Sequence, residues 1–201
     1  MPTRARTTSR DAQRLATRER LFVAAVAEFK HSGVAAADVG TIVADVGVAH
    51  GTFFFHFPTK EHVVAELGQR EEVRMASELD RFLTEPRALG ETLSEVIRQT
   101  GLLERRVGTP LFTDMVALYF SPTRPELQPW PEHPVISRVI EEFQRAGDHG
   151  EIRTDEADAA NTAIFFFLGL FALLITHERS AGRRRVLEQF VKVLLRGVDA
   201  T

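Results

Sequence analysis

Apolar residues recur along nearly the whole chain at intervals of three and four. They never settle into the period-two alternation of a strand, and no Asn-Gly or Asp-Gly hairpin step occurs. The pattern predicts an all-α fold of about nine helices. The first helix runs from Asp11 to about His31, with Leu15, Leu21 or Phe22, Ala25 and Phe29 on one side and Gly33 as the stop. A short helix follows over 38–46, with Asp38 as N-cap, Val39, Ile42, Val43 and Val46 inward, and Gly47 at its C-terminal turn. Another short helix fits 49–57 and is ended by Pro58. Thr59 can cap a long fourth helix, supported by Glu61 in its first turn and reaching about Leu83. Helical periodicity returns over 89–105, 110–120, 134–146, 154–176 and 182–198. Prolines at 122, 125, 129, 131 and 134 exclude regular helix between 121 and 134.

Residues 38–57, DVGTIVADVGVAHGTFFFHF, have the layout of a helix-turn-helix. Two helices crossing at roughly 90–120° need a tight turn with positive φ, which Gly47 supplies. Ile42, Val46 and Val48 pin the pair together, and this phase leaves His50, Thr52, Phe53 and His56 to face a major groove.

Charge sharpens this picture. The net charge of −3 argues against nucleic acid only as an average. Residues 1–60 hold 8 Lys/Arg against 5 Asp/Glu, whereas residues 61–201 hold 17 against 23. A basic front of +3 is joined to an acidic body of −6, and no acid occurs from Val46 to Lys60. Two modules are expected: residues 1–60 as an arm plus helix-turn-helix DNA-binding domain, and residues 61–201 as a helical ligand-binding and dimerisation domain.

Composition narrows the chemistry. With no cysteine there can be no disulfide framework, thiolate metal site or cysteine nucleophile. HExxH, GxSxG, GxxxxGK and GxGxxG are absent, and the seven histidines show no metal-ligand spacing, so no enzyme, metal or cofactor is expected. The first 20 residues lack the apolar run of a secretory signal, which points to the cytoplasm. The thirteen-residue stretch 163–175 is shorter than the roughly 20 residues a membrane span needs and reads as a buried helix.

The residues that begin the chain resemble the TetR family of bacterial transcriptional regulators. The resemblance rests on Arg20 to Phe29 with Gly33, on Ile42, Gly47 and Val48, and on Gly51, Thr52, Phe53 to Phe55, Phe57, Lys60 and Glu61. It covers about a third of the chain by motif and the remainder only by length and helix order. The sequence departs from the family at Ala49, where Ser or Thr usually caps the recognition helix, and at Phe54, where a tyrosine hydroxyl is common. It departs again at Ile42-Val43 in place of Ile-Ala and at Ala37-Asp38 in place of paired threonines. The resemblance implies a homodimeric repressor of double-stranded operator DNA, released by a small effector through a population shift carried by the fourth helix. The alternative is a small-molecule-binding or scaffold protein on the same fold that has lost DNA binding.

The expected DNA-facing set is Thr41, Ala49, His50, Gly51, Thr52, Phe53, Phe54, His56 and Lys60. Lys60 would meet a phosphate or stand as a solvated lysine. Thr52 would meet a phosphate or base edge, or serve as a second, internal cap. Phe53 would touch a thymine methyl, while Phe55 and Phe57 are assigned to the core. His56 would face DNA or pack on the first helix. Arg4, Arg6 and Arg10 would reach a groove or remain in a solvated arm. If His50 and His56 both titrate against DNA, operator affinity should rise as pH falls from about 8 to 6.

In the body, Phe82, Phe112, Met115, Tyr119, Trp130, Phe143, Phe165, Phe167, Leu168 and Phe171 are candidates for an apolar pocket, or else for core. Few ionisable groups fall among them, so a hydrophobic, uncharged ligand is expected. Ile164 and Leu168, with Leu187, Phe190, Val191, Leu194 and Leu195 on the last helix, are the expected dimer face, or else one monomer's core.

Overall fold

The computed structural model describes residues 9–122, 124–125, 129–153, 156–177 and 179–198, without the side chains of residues 130, 156 and 157. The described residues form nine α-helices and no strand. In chain order these are α1 (Ser9–Ser32), α2 (Val39–Val46), α3 (His50–His56), α4 (Lys60–Phe82), α5 (Leu89–Val107), α6 (Thr109–Leu118), α7 (Pro134–Asp148), α8 (Glu156–Thr176) and α9 (Ala181–Val198). The all-α reading holds, and each expected helix lies within a few residues of its predicted bounds. In the proline-studded segment one 3-10 turn forms at Trp130–Glu132.

Two compact units divide the chain at Leu67/Gly68, inside α4, about two turns later than the charge split suggests. Charge does not mark the boundary because Val63, Val64 and Leu67 are buried and belong to the first unit's packing.

The first unit is built around aromatic anchors. Leu21, Phe22, Ala25 and Phe29 of α1, Ile42, Val43 and Val46 of α2, and Phe53 and Phe57 are all buried. Phe57 lies 5.9 Å from Phe53 and 6.5 Å from Phe22 between ring centroids. Asp38 caps α2 by accepting from the amides of Gly40 (3.0 Å) and Thr41 (3.1 Å), which holds its carboxyl below the usual carboxylate range. Gly47 ends α2 at φ +73°, and its amide donates to the carbonyl of Ala44 at 3.2 Å.

The second unit packs α5 to α9 around Leu89, Leu93, Val96, Leu111, Val139, Phe143, Phe166 and Leu170. α8 is apolar and long enough to cross a membrane by composition; a third of that apolar stretch is buried inside the unit, through Ala159, Ala163, Phe166, Phe167, Leu170 and Leu174. At Gly169 an added Cβ would sit 2.6 Å from Phe190 Cζ, so this glycine lets α9 lay an aromatic ring flat against α8. Phe190 stacks on Phe166 at 5.8 Å with 10° between the rings. Beneath the N-terminal turn of α9, Arg183 and the wholly buried Glu104 pair through both guanidinium nitrogens, and Thr109 Oγ1 donates to the same carboxylate at 3.1 Å.

Candidate nucleic-acid interface and ligand cavity

α3 has seven residues, and its phase is fixed by the buried pair Phe53 and Phe57 at i, i+4. This corrects two expectations. Phe53 is fully buried rather than DNA-facing, and Phe55, assigned to the core, is 71% exposed. Residues two apart on a helix point about 200° apart, so the burial of Phe53 and Phe57 requires Phe55 to face out. The outward surface comprises Ala49, His50, Gly51, Phe54 and Phe55, with Thr52 and His56 half-buried at its margins. His50 and Phe54 lie 5.5 Å apart between ring centroids and form one outward ridge. Thr41 is exposed on α2, with its hydroxyl 3.2 Å from Asp38 Oδ2.

The side chains around this surface act as fasteners. Arg20 Nη2 donates to the Val46 carbonyl at 2.6 Å, and Arg18 lies 4.5 Å over the Phe57 ring while donating to Glu66 at 2.8 Å. Lys60, expected on phosphate, instead donates through Nζ to the carbonyls of Ala35 (2.9 Å) and Ala37 (3.1 Å), which clamps the α1–α2 loop. His56 is held below its ordinary value, first by burial and then by the charges of Arg18 and Arg14. Its partial burial near Arg14 and Arg18 of α1 fits the alternative that it packs on the first helix. Arg10 is exposed; Arg4 and Arg6 lie outside the described residues.

The second unit contains a partly open cavity of about 70 Å³. Its wall is made by Gly68, Glu72 and Met75 of α4, Thr100 and Leu103 of α5, Phe112, Met115 and Val116 of α6 with Tyr119, Val135 and Ile136 of α7, and Phe167 and Phe171 of α8. Phe112, Met115, Tyr119, Phe167 and Phe171 are thus placed where the sequence suggested. Phe82, Phe143, Phe165 and Leu168 are not. Phe82 lies under Arg87, whose guanidinium is 5.1 Å from its ring; Phe143 is fully buried core, and Phe165 is 62% exposed. Leu168 is half-buried outside the wall, and the Trp130 side chain lies outside the described residues. The sequence reading missed Glu72, whose carboxylate accepts from Nδ1 of the buried His133 at 2.8 Å. Tyr119, 5.7 Å from His133 and 5.4 Å from Phe171 between ring centroids, has its phenol pushed up by burial and by the negative charge of Glu72.

On α8 a row spaced four and three apart, Asn161, Phe165, Leu168, Ala172 and Ile175, is exposed or half-exposed, and on α9 Val193 is exposed and Val186 and Phe190 are half-buried. Leu187 and Val191 are buried within the single chain, and Ile164, Leu194 and Leu195 are half-buried. The two buried leucine and valine side chains therefore serve the subunit's own core, not an outer face.

A helix-turn-helix with an acid-free outer surface, followed by an all-helical body with an apolar cavity, is the fold of a transcription regulator. Residues 21–67 match the family model for bacterial regulatory proteins of the tetR family, so the N-terminal domain is of the TetR type. None of the curated proteins matches the sequence. Solved structures match over most of the chain. Thermus thermophilus FadR, a TetR-family repressor in complex with lauroyl-CoA, is 22% identical with a TM-score of 0.69 over 89% of this chain and 91% of its own. RolR in complex with resorcinol is 16% identical with a TM-score of 0.66 over 93% and 89%. A TetR-family regulator from Pectobacterium atrosepticum is 16% identical with a TM-score of 0.64 over 94% and 97%. At these identities the likeness is one of fold.

Proposed function

We propose that the chain acts in the cytoplasm, without enzymatic activity, as a homodimeric repressor that leaves its operator when a small, largely apolar molecule fills the body cavity. The observation that carries this reading is the outward surface of α3. His50, Gly51, Phe54 and Phe55 project from a helix locked from behind by Phe53 and Phe57, with no acidic residue between Val46 and Lys60. Phe54 and Phe55 take the thymine-methyl role expected of Phe53, and His50 and Thr52 supply polar groups for base edges or phosphates.

The release mechanism follows from α4. Its first turns bury Val63 and Val64 in the DNA-binding unit, and the same helix gives Gly68, Glu72 and Met75 to the cavity wall. A ligand that prefers one position of this wall shifts the population of α4 positions; one with equal affinity for both states shifts nothing. The exposed or half-exposed apolar row Phe165, Leu168, Ala172 and Ile175, with the exposed Val193, supports pairing of α8 and α9 with a second copy.

Gel retardation with DNA flanking the protein's own gene tests the reading. Retention should exceed that of random DNA of equal length and fall steeply between 50 and 200 mM salt, by about tenfold or more. Equal retention of both DNAs would overturn it in favour of a small-molecule-binding protein that has lost DNA recognition.

A further inference from the structure

The cavity's polar chemistry identifies its occupant more closely, on the premise that the cavity is the effector site. Among the residues that line it, Glu72 alone carries a charge. Its side chain is only 12% exposed, and it accepts from His133 Nδ1 at 2.8 Å. A carboxylate offers about four acceptor positions, so it can take a further donor from a molecule in a cavity otherwise walled mainly by Met, Phe, Val, Ile and Leu. Thr100 cannot help, because its hydroxyl donates to the Val96 carbonyl at 2.8 Å.

A ligand that brings a donor to this largely buried carboxylate gains a charge-assisted hydrogen bond, whereas a second anion adds repulsion in a low-dielectric space. We infer that the cavity selects a small apolar molecule bearing a hydroxyl or ammonium group directed at Glu72, and that it excludes carboxylates. The volume sets the size. A space of about 150 Å³ is enough for benzene, and this cavity holds about 70 Å³. A one-ring occupant therefore enters only as the flexible Met75 and Met115 side chains give way. The wall has few ionisable groups, as the sequence suggested, and the one charge it carries is that of Glu72.

Calorimetric titration of the full chain with toluene, benzyl alcohol, benzylamine and benzoate tests this. Wild type should bind benzyl alcohol and benzylamine about tenfold or more tightly than toluene, with no binding of benzoate. Glu72→Gln keeps the shape and a carbonyl acceptor, and it should lose most of the preference for benzylamine. Glu72→Leu should bind toluene best, and thermal melts confirm that both variants are folded. Toluene binding wild type as tightly as the alcohol and amine, or an unchanged order in folded Glu72→Gln, overturns the donor requirement and leaves the cavity as the effector site. Failure of all four probes to bind wild type overturns both.

Discussion

Arg20 reaches from α1 to donate to the carbonyl of Val46, the last residue of α2, at 2.6 Å. The next residue, Gly47, is the left-handed turn that aims α3. An α2 carbonyl that α2 itself cannot pair is thereby satisfied by a charged donor. Arg20→Ala should cost about 1 kcal/mol of stability, read from urea midpoints, because the guanidinium is largely solvated. It should weaken operator binding more than that loss implies, since the turn geometry loosens. Arg20→Lys, which keeps one donor, should recover part of both, and unchanged operator affinity in Arg20→Ala would remove this bond from the aiming of α3.

The Glu104–Arg183 pair is the costliest to break in the body. Glu104 is 0% and Arg183 6% exposed at the side chain. Arg183→Met leaves a buried carboxylate with Thr109 as its remaining described donor and should destabilise by about 3–5 kcal/mol. The double substitution with Glu104→Met should recover most of that loss. A double-mutant cycle in urea checks it, and additive losses would show that the two residues act independently.

How far the sequence carried can be read from α3 and from Glu72. The helix order was legible because apolar spacing, Gly33, Gly47, Pro58 and the Asp38 cap are local signals, each of which the fold confirms. The phase of α3 was misjudged over Phe53 and Phe55, although assigning Phe57 to the core already implied a buried Phe53 one turn earlier. The bond between Glu72 and His133 spans 61 residues, a pairing that no local pattern encodes. Lys60 escaped for the same reason: carbonyls 25 and 23 residues earlier claim its ammonium.

His56 gives a pH dependence with a definite sign. Burial and the charges of Arg18 and Arg14 lower its folded-state pKa beneath the unfolded value near 6.5. As pH falls through about 6.5 the unfolded chain takes up this proton before the folded one, so stability declines; well above 6.5 both states are neutral and the contribution vanishes. Urea midpoints at pH 7, 6 and 5 should fall less steeply in His56→Gln than in wild type. A rise in operator affinity between pH 8 and 6 should survive His56→Gln, and its loss would place His56 in the DNA-facing set.

Ala49 occupies the N-cap of α3 with φ −69° and ψ 148°, an extended conformation suited to a capping side chain it does not have. Ala49→Ser supplies a hydroxyl for an otherwise open amide of the first turn and should stabilise by about 1 kcal/mol. Thermal melts measure the gain, and no change would show that the open amides are satisfied by water at no cost.

Gly51 separates folding from recognition. It sits in the first turn of α3, where an added Cβ meets nothing within 4 Å and where φ is not positive. Gly51→Ala should therefore raise helix propensity and stabilise the unit by roughly 0.5–1 kcal/mol. Gly47→Ala also finds open space, but at φ +73° it should destabilise by about 1–2 kcal/mol through the backbone alone. The methyl at position 51 points from the surface assigned to the major groove, so the stabilised variant should bind operator more weakly, by about tenfold if a base edge is displaced. Melting temperature and operator affinity measured on the same preparations must then move in opposite directions. If Gly51→Ala is both more stable and an equal or better binder, the first turn of α3 does not lie against DNA.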